Sequence, residues 1–322
     1  MAVFTQVKTS EVADLLARYE VGELIALTEI GQGIENSNYF LNTKQGGQEF
    51  RWVLTVFETL SEDELPFFMV YTGLLSRQGL PVPAPLPDKN GGTVQHLVGK
   101  PAAIFPCFPG RWEAAPTITQ CQSVGAMISQ MHSVPVPKEL SRLPTRTMTW
   151  MRANANRLEK VRGFTEGGLL NLALNTLDEL ESGYALCKMG IVHGDMFRDN
   201  VLFDKDRISG VIDFYHACRD YLAFDVAVAA NDWCFDMVVK QHNRAMMEAL
   251  LDGYNRSGLN VIQPADVDWP AFLLLAAVRF WISRLVSRHL PGYQGRATTG
   301  DITKDPEEFR IKVEAALHLL SR

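Results

Sequence analysis

The order of apolar and polar positions divides the chain into a β-rich first third and a helical remainder. After a helix at about residues 10–18, alternating apolar positions predict three strands, at residues 24–30, 38–41 and 50–57. The glycine pair at 46–47 provides the turn of a hairpin. A helix over residues 62–78 follows, and two short strands are expected to flank the Asn-Gly-Gly turn at 90–92.

An apolar strand that begins at Ala102 ends in a connector rich in proline and glycine. Beyond it the apolar period is that of helices, predicted at residues 118–131, 149–161, 169–188, 223–239, 245–257 and 270–290. We therefore expect an α+β fold, in which a small antiparallel β lobe with one main helix precedes a larger helical lobe. The expected boundaries are residues 1–104 for the first lobe, 105–110 for a hinge and 111–322 for the second lobe.

Composition and charge narrow the class of protein. Of the 322 residues, 47% are hydrophobic and 21% charged, which is typical of a soluble globular protein with a large core. A net charge of −6 disfavours nucleic-acid binding, because neutralising phosphates needs a basic surface. Five cysteines without CxxC spacing indicate neither a zinc site nor a disulfide framework and favour a cytoplasmic setting. The most apolar stretch, residues 271–278, runs into arginines, so we expect a buried helix rather than a membrane span.

The strongest chemical signal is a polar loop after the short apolar strand at 191–192. The loop reads HGDMFRDN over residues 193–200, and a second apolar strand at 208–212 then delivers Asp213, followed by Phe214. The pattern is therefore His-x-Asp, an Asn five residues after that Asp, and an Asp-Phe pair after a hairpin.

These residue types suit phosphoryl transfer, which needs magnesium to neutralise the phosphates and a carboxylate to orient the attacking hydroxyl. Asp195 fits the role of the catalytic base, while Asn200 and Asp213 offer the hard oxygen ligands that magnesium prefers. The alternative is a structural turn at His193 and a strand cap at Asp213. The joint spacing and strand context favour the catalytic interpretation.

Two segments of the first lobe offer groups for a nucleotide. In the glycine-rich hairpin at Gly31 and Gly33, the backbone can approach phosphates closely and bind them through its N–H groups. Side chains that add polar contacts there are Asn36, Ser37 and Asn38. The expected adenine site is the connector, at Phe105, Cys107 and Phe108. An ordinary hairpin turn and simple packing are the alternatives for these two segments.

Together these motifs resemble the aminoglycoside phosphotransferase and choline kinase family, over about residues 25–230. The resemblance implies the two-lobe fold of protein kinases, with ATP as phosphoryl donor and Mg²⁺ as the metal. It implies the base and metal-ligand roles given above, and it adds His193 and Asp225 as structural supports of the catalytic loop. Asp225 equally suits a helix N-cap.

One position departs from the kinase pattern. Kinases usually carry a Lys in the third strand that holds the α- and β-phosphates, and here the matching residue is Thr55. Candidate replacements are Arg51, Lys44 and Lys100. The substitution leaves open a nucleotide-binding pseudokinase, which the retained base and metal ligands disfavour.

The helix predicted over residues 270–290 offers an acceptor site. Trp281, Arg284 and Arg288 share one face by their i, i+3 and i+7 spacing. A guanidinium binds carboxylates bidentately, so this face suits an acidic or zwitterionic acceptor. Arginines that merely flank an amphipathic helix are the alternative.

Three runs, at residues 35–40, 193–200 and 279–285, resemble the homoserine kinases within this family, which also share the Thr in the third strand. The resemblance implies ATP-dependent phosphorylation of L-homoserine in threonine biosynthesis, by a monomer or homodimer with no nucleic-acid or membrane partner. It implies substrate contacts from Trp281, from Arg284 to the carboxylate and from Asp232 to the amine. Arg198 is expected to contact the γ-phosphate.

A choline- or ethanolamine-type kinase is the main enzymatic alternative. A quaternary amine needs an aromatic cage, which Trp233, Tyr215 and Trp281 offer.

Overall fold

The computed structural model describes residues 4–31, 36–184, 187–256, 258, 261–262, 269–290 and 304–321. The chain divides into two compact units, Met1–Pro109 and Gly110–Arg322. Unit 1 is built on an antiparallel sheet and unit 2 is mostly helical. The predicted α+β class is therefore confirmed, whereas the hinge over residues 105–110 stays a prediction.

Unit 1 is a five-stranded antiparallel sheet in the order β1-β2-β3-β5-β4. Its elements are α1 (Thr9–Leu16), β1 (Glu23–Glu29), β2 (Ser37–Gln45), β3 (Gln48–Val56), α2 (Leu65–Arg77), β4 (Gln95–Leu97) and β5 (Lys100–Pro106). The β2–β3 hairpin turns at Gly46 and Gly47, whose φ angles of 58° and 84° are accessible to glycine without strain.

One face of this sheet packs against α1. This face joins α1 in a core that contains Val12, Leu15, Leu54, Val56 and Ile104. Thr55 pairs with Ala103 between these core positions. Because successive side chains of a strand point to opposite faces, Thr55 faces away from α1.

Unit 2 is a helical assembly that carries three short antiparallel ladders, β6 with β9, β7 with β8 and β10 with β11. Its helices are α3 (Ile118–Ser133), α4 (Met148–Leu158), α5 (Gly167–Tyr184), α6 (Leu222–Trp233), α7 (Arg244–Asn255), α8 (Trp269–His289) and α9 (Glu307–Leu320). Its strands are β6 (Met189–Val192), β7 (Val201–Asp204), β8 (Arg207–Val211), β9 (Cys218–Tyr221), β10 (Phe235–Asp236) and β11 (Gln241–His242).

The helix α8 is the core of unit 2. Within the described residues it is the one helix long and apolar enough to cross a membrane, but 78% of its most apolar window is buried inside the protein. It packs against α5, α6 and α9. This burial identifies α8 as a core helix, as its sequence predicts.

Three elements differ from the sequence-based predictions. The helix expected over residues 223–239 ends at Trp233, and the chain continues into the β10–β11 hairpin. In the turn of this hairpin the Asp236 carboxylate accepts the backbone N–H groups of Val238 and Val239. The described residues between α2 and Asn90 contain no strand, and β4, which follows the turn at 90–92, pairs with β5 instead. The third difference is α9, a helix that the apolar pattern did not lead us to predict.

Candidate active site

Asp225, in the first half of α6, fixes the loop that follows β6. Its carboxylate is fully buried and accepts the backbone N–H groups of His193 and Gly194, each at 2.8 Å. Nε2 of His132 lies 3.1 Å from the same carboxylate. Burial acts to raise the pKa of Asp225, but the His132 hydrogen bond and the His193 contacts outweigh it, so this pKa is lowered. The N-cap of α6 is Tyr221, so Asp225 supports the loop and does not cap the helix.

The imidazole of His193 carries its proton on Nε2. This atom lies 3.0 Å from the carbonyl oxygen of Ile212, whereas Nδ1 lies 3.2 Å from the backbone N–H of Asp195. Burial lowers the pKa of His193, which favours the neutral ring. At Gly194, with a φ of 80°, a Cβ would lie 2.8 Å from the His216 carbonyl oxygen, so this turn requires glycine.

Asp195 and Asn200 meet across the catalytic loop. Nδ2 of Asn200 donates to the backbone carbonyl of Asp195 at 2.8 Å and to its Oδ2 at 2.9 Å. Because the amide nitrogen is used in this way, the amide oxygen is the group of Asn200 that suits a metal.

Asp213 lies at the same end of the β7–β8 hairpin as Asn200. Val201 pairs with Val211, and the Ile212 N–H donates to the Asn200 carbonyl at 2.9 Å. Asp213 follows with φ 64° and ψ 59°, in the left-handed region, where Asp and Asn are among the better-tolerated residues. The carboxylate of Asp213 and the amide oxygen of Asn200 are hard donors that fit magnesium.

Among the described residues, no group of three or more His, Cys, Asp and Glu forms a metal site of its own. A magnesium site made of one or two protein oxygens agrees with this, because magnesium commonly completes its shell with substrate phosphates and water.

Arg198 is held by Asp232 of α6. The backbone N–H and Nε of Arg198 donate to Oδ2 of Asp232 at 2.7 Å and 3.1 Å, and Nη2 donates to Oδ1 at 3.3 Å. Nη1 of Arg198 donates to the Ala114 carbonyl at 2.6 Å. Asp232 is only 8% exposed. The structure thus pairs two residues that the sequence analysis assigned to different ligands, and the pair anchors the catalytic loop to α6.

Arg284 connects α8 to α9. Its Nη1 donates to Glu308 at 2.6 Å and to the Asp305 carbonyl at 2.8 Å. Lys312, which is 1% exposed, also pairs with Glu308. These contacts occupy Arg284 within the protein. Trp281, which was expected to contact the acceptor, is 1% exposed. Its indole therefore packs in the core.

Lys304, which lies shortly before α9, reaches the catalytic loop. Its Nζ donates to Oδ2 of Asp199 at 2.6 Å and lies 5.2 Å from the ring centroid of Phe197. Burial acts to lower the pKa of Lys304, but the negative charges of Asp199 and Asp195 outweigh it and raise this pKa. Lys304 is therefore a cation that contacts the loop between Asp195 and Asn200.

In unit 1, Thr55, Asn38 and Asn36 form a polar group at the end of the β2–β3 ladder. Oγ1 of Thr55 donates to Oδ1 of Asn38 at 2.8 Å, and Nδ2 of Asn38 donates to the Asn36 carbonyl at 3.5 Å, so the second N–H of this amide remains for another acceptor. Oδ1 of Asn36 accepts the backbone N–H of Glu58 at 3.3 Å. The end of the glycine-rich segment is thereby tied to the end of β3.

Ser37 lies on the opposite face of the sheet, together with Lys100. The Ser37 hydroxyl accepts the backbone N–H groups of Phe4 at 2.8 Å and Thr5 at 2.9 Å, and it donates to Glu58. Lys100 also pairs with Glu58. These contacts attach the N-terminal segment to the sheet on its α1 face, so Lys100 does not occupy the position of the missing strand lysine.

The other two candidate cations lie away from Thr55. Arg51 is four residues earlier on the same face of β3, about 13 Å along the strand. Its guanidinium stacks on Phe40 at 3.8 Å, and its charge acts on the Cys107 thiol. Lys44 is exposed near the β2–β3 turn, opposite Glu49. None of the three candidates therefore lies beside Thr55.

The remaining nucleotide predictions fall at the edges of unit 1. Gly31 lies in open space, where a Cβ would meet no atom within 4 Å, and Gly33 lies outside the described residues. Phe105 pairs with Val53 and shares the face of Thr55. Cys107 and Phe108 are half-buried after the end of β5.

Comparisons with known proteins decide the family. Residues 26–264 match the phosphotransferase enzyme family, APH. A homoserine kinase of Neisseria meningitidis serogroup B is 37% identical over 316 residues, which cover 96% of this chain and 98% of that protein. The chain belongs to this phosphotransferase family. The family predicted from the motifs is confirmed.

Solved structures share the fold of this phosphotransferase. An amicoumacin kinase in complex with AMP-PNP, Ca²⁺ and its ligand superposes with a TM-score of 0.69 at 18% identity, over 95% of this chain and 93% of that one. A spectinomycin phosphotransferase in complex with ADP and spectinomycin gives 0.67 at 14% identity, over 97% and 98% of the two chains. At these identities the likeness shows the fold alone, and the predicted kinase-like fold is confirmed.

Several polar residues around the phosphotransferase's catalytic loop escaped the sequence analysis. The helix α9 and the segment before it were not predicted, and they carry Lys304, Glu308 and Lys312. The helical spacing of the apolar residues Phe309, Val313 and Ala316 would have indicated this helix. His132, from α3, had no motif around it, and only the fold brings it to Asp225.

The charges on α9 predict an acid-dependent loss of stability. Burial acts to raise the pKa of Glu308, but Lys312 and Arg284 outweigh it and lower the pKa to about 2. A lowered folded-state pKa gives stability that is present above the unfolded value, about 4.3, and lost as the pH falls towards 2. We expect Glu308→Gln to destabilise the protein most at pH 7, by about 2 kcal/mol, and progressively less below pH about 4.

Urea unfolding of the wild type and the variant between pH 7 and pH 3 checks this prediction. The matched control is Glu314→Gln, which replaces a 48% exposed acid of the same helix. It should change the free energy of unfolding little at any pH. A cost of Glu308→Gln that does not change with pH would contradict the charge assignment.

Proposed function

We propose that this phosphotransferase is a homoserine kinase, which transfers the γ-phosphoryl group of ATP to the side-chain hydroxyl of L-homoserine and releases ADP. The observation that carries the proposal is the near-full-length likeness to homoserine kinases, at 37% identity over 316 residues in the Neisseria meningitidis protein. The loop with Asp195 and Asn200 supports the reaction class, because phosphoryl transfer to an alcohol needs a carboxylate held beside a metal.

Asp195 acts in this proposal as the base that orients the homoserine hydroxyl and accepts its proton. Asn200 donates to Oδ2 of Asp195, which fixes the carboxylate plane. The Asp225 carboxylate and the neutral His193 ring hold the loop backbone on either side. Such positioning supplies much of the rate enhancement in a reaction that needs little covalent help from the protein.

Asn200 and Asp213 would hold Mg²⁺ through their oxygen atoms, which are of the type magnesium prefers. When bound, the metal would neutralise the phosphate charge of the nucleotide. Asp213 is delivered to this place by the left-handed turn after β8, and the Ile212–Asn200 backbone hydrogen bond holds the two ligands at one end of the hairpin.

Nucleotide contacts are proposed for unit 1. The Thr55 hydroxyl orients Asn38, and the Glu58 backbone N–H fixes Asn36 at the end of the glycine-rich segment. Both amides are proposed to donate to phosphate oxygens, Asn38 through the N–H that does not contact the Asn36 carbonyl. Gly31 precedes them, and Phe105, Cys107 and Phe108 are proposed for the adenine ring. AMP-PNP and ADP in the related solved structures support ATP as the donor.

The burial of two tryptophans disfavours a choline-type acceptor. Trp233 and Trp281 are each 1% exposed, and Nε1 of Trp233 donates to the Met196 carbonyl at 3.0 Å. Both rings therefore serve the core and do not form an open cage. A cytoplasmic location, proposed from the cysteine usage, agrees with a small-molecule kinase of this kind.

Coupled ADP release with Mg-ATP tests the proposal against L-homoserine, L-serine, L-threonine, choline, ethanolamine and kanamycin. We expect turnover with L-homoserine at a kcat/KM far above that of the other acceptors. Turnover with a different acceptor alone would support the kinase reaction and reject L-homoserine as the acceptor. ATP binding without turnover of any acceptor would favour the pseudokinase.

A further inference from the structure

We propose that the Lys304–Asp199 ion pair recognises the amino-acid end of the acceptor, with the Lys304 ammonium on its α-carboxylate and the Asp199 carboxylate on its α-ammonium. The inference rests on the proposed function, because it assigns the part of homoserine that the catalytic base does not touch. Neither residue belongs to the predicted acceptor site on α8.

The position of the pair in the loop of Asp195 suits the amino-acid end of homoserine. Asp199 belongs to the turn Arg198–Asn200 of the catalytic loop, four residues after Asp195. The negative charge of Asp195 also acts on the Lys304 ammonium. Two methylene groups separate the hydroxyl of homoserine from its α-carbon, so a hydroxyl at Asp195 leaves the two charged groups of the substrate close by.

Both partners can take a further ligand. Their side chains are each 44% exposed. An ammonium has three donors and a carboxylate two oxygens, and the contact between Nζ and Oδ2 uses one of each. An exposed ion pair contributes little to the stability of a protein, so a contribution to stability does not by itself explain why these two charges are placed together. By contrast, the side chains of the Arg279–Asp220 pair are only 10% and 5% exposed, and that pair lies within the core.

Lys304 rests on a rigid aromatic support. Its Nζ is 5.2 Å from the ring centroid of Phe197, which is itself 4.7 Å from the Phe280 ring and 6.0 Å from the Phe309 ring. An ammonium held against packed rings loses less freedom when it binds a carboxylate.

The contacts of Arg284 favour Lys304 for the carboxylate. Arg284 donates to Glu308 and to the Asp305 carbonyl, lies 4.3 Å from the Phe309 ring centroid, and its side chain is 11% exposed. These contacts join α8 to α9 and thereby position the segment that carries Lys304. Arg284 is in this view a positioning residue.

Acceptors that lack one charge test the pair. L-homoserinol lacks the carboxylate, and 4-hydroxybutyrate lacks the ammonium. We expect Lys304→Met to lower kcat/KM for L-homoserine by on the order of 10- to 100-fold and to leave L-homoserinol nearly unchanged. Asp199→Asn should lower kcat/KM for L-homoserine by a similar factor but spare 4-hydroxybutyrate. The KM for ATP should change in neither variant.

Three controls accompany these measurements. Lys160→Met removes an exposed lysine beyond α4 and should leave both acceptors unchanged. Lys304→Arg keeps the cation and should restore most of the preference for L-homoserine. Lys304→Gln replaces Lys304→Met if thermal unfolding shows that the latter is destabilised.

The outcomes separate the inference from the function on which it rests. If the wild type fails to phosphorylate L-homoserine, the proposed function is rejected, and so is the role assigned to the Lys304–Asp199 pair. If the wild type does phosphorylate L-homoserine but Lys304→Met slows both acceptors equally, only the inference is overturned. Such a uniform loss would place Lys304 at the transferred phosphoryl group.

Discussion

Replacing Asp195 by Asn is expected to lower kcat with L-homoserine by about 10²-fold or more, while ATP binding stays close to that of the wild type. In the structure, Oδ2 of Asp195 accepts a hydrogen bond from Nδ2 of Asn200. An asparagine at position 195 would satisfy that donor with its amide oxygen and turn its amide N–H groups towards the substrate. The hydroxyl would then meet a donor where the reaction needs an acceptor for its proton.

Steady-state kinetics and calorimetric titration with ATP check this expectation. Asp204→Asn, on an exposed acid at the end of β7, is the control for loss of charge near the loop and should keep wild-type turnover. A kcat for Asp195→Asn within a few-fold of the wild type would remove Asp195 from the role of base.

Replacing Asp213 by Asn is expected to weaken the magnesium-dependent part of ATP binding by on the order of 10- to 100-fold. Asparagine tolerates the left-handed backbone that Asp213 adopts, with φ 64° and ψ 59°, so the turn is kept while the anionic ligand is lost. Alanine would add backbone strain to the loss of the carboxylate and would blur the result.

Titration of ATP with and without magnesium separates the two contributions. The wild type should bind ATP more tightly when magnesium is present, and Asp213→Asn should lose most of that difference. Asp206→Asn, in the turn of the same hairpin, removes an exposed carboxylate and should retain the difference. If Asp213→Asn responds to magnesium as the wild type does, Asp213 is not a metal ligand.

The catalytic loop could be predicted because its chemistry is local in sequence. Asp195 and Asn200 are five residues apart, and Asp213 follows at the end of the adjoining strand, so one hairpin brings them together. The sheet of unit 1 could be predicted for a similar reason, since alternating apolar residues and the glycine pair at 46–47 specify its strands and turn.

The surroundings of the loop could not be predicted, because they depend on contacts between distant segments. His132 reaches Asp225 across 93 positions, and Lys304 reaches Asp199 across 105. Other predictions depended on which face of the sheet a side chain occupies. Lys100 and Thr55 lie on neighbouring strands, yet only the register of β3 with β5 shows that they point to opposite sides of the sheet. Arg284 has the spacing of a ligand residue, and only α9 reveals its partner Glu308.

The central claim is that the chain phosphorylates the side-chain hydroxyl of L-homoserine, and the structure of the product tests it most directly. We would incubate the protein with Mg-ATP and L-homoserine and record proton-coupled ³¹P spectra. The expected result is a new phosphomonoester signal coupled to the γ-methylene protons of homoserine, absent with Asp195→Asn over the same time. A spectrum in which ATP is unchanged, or is converted only to ADP and inorganic phosphate, would contradict the account.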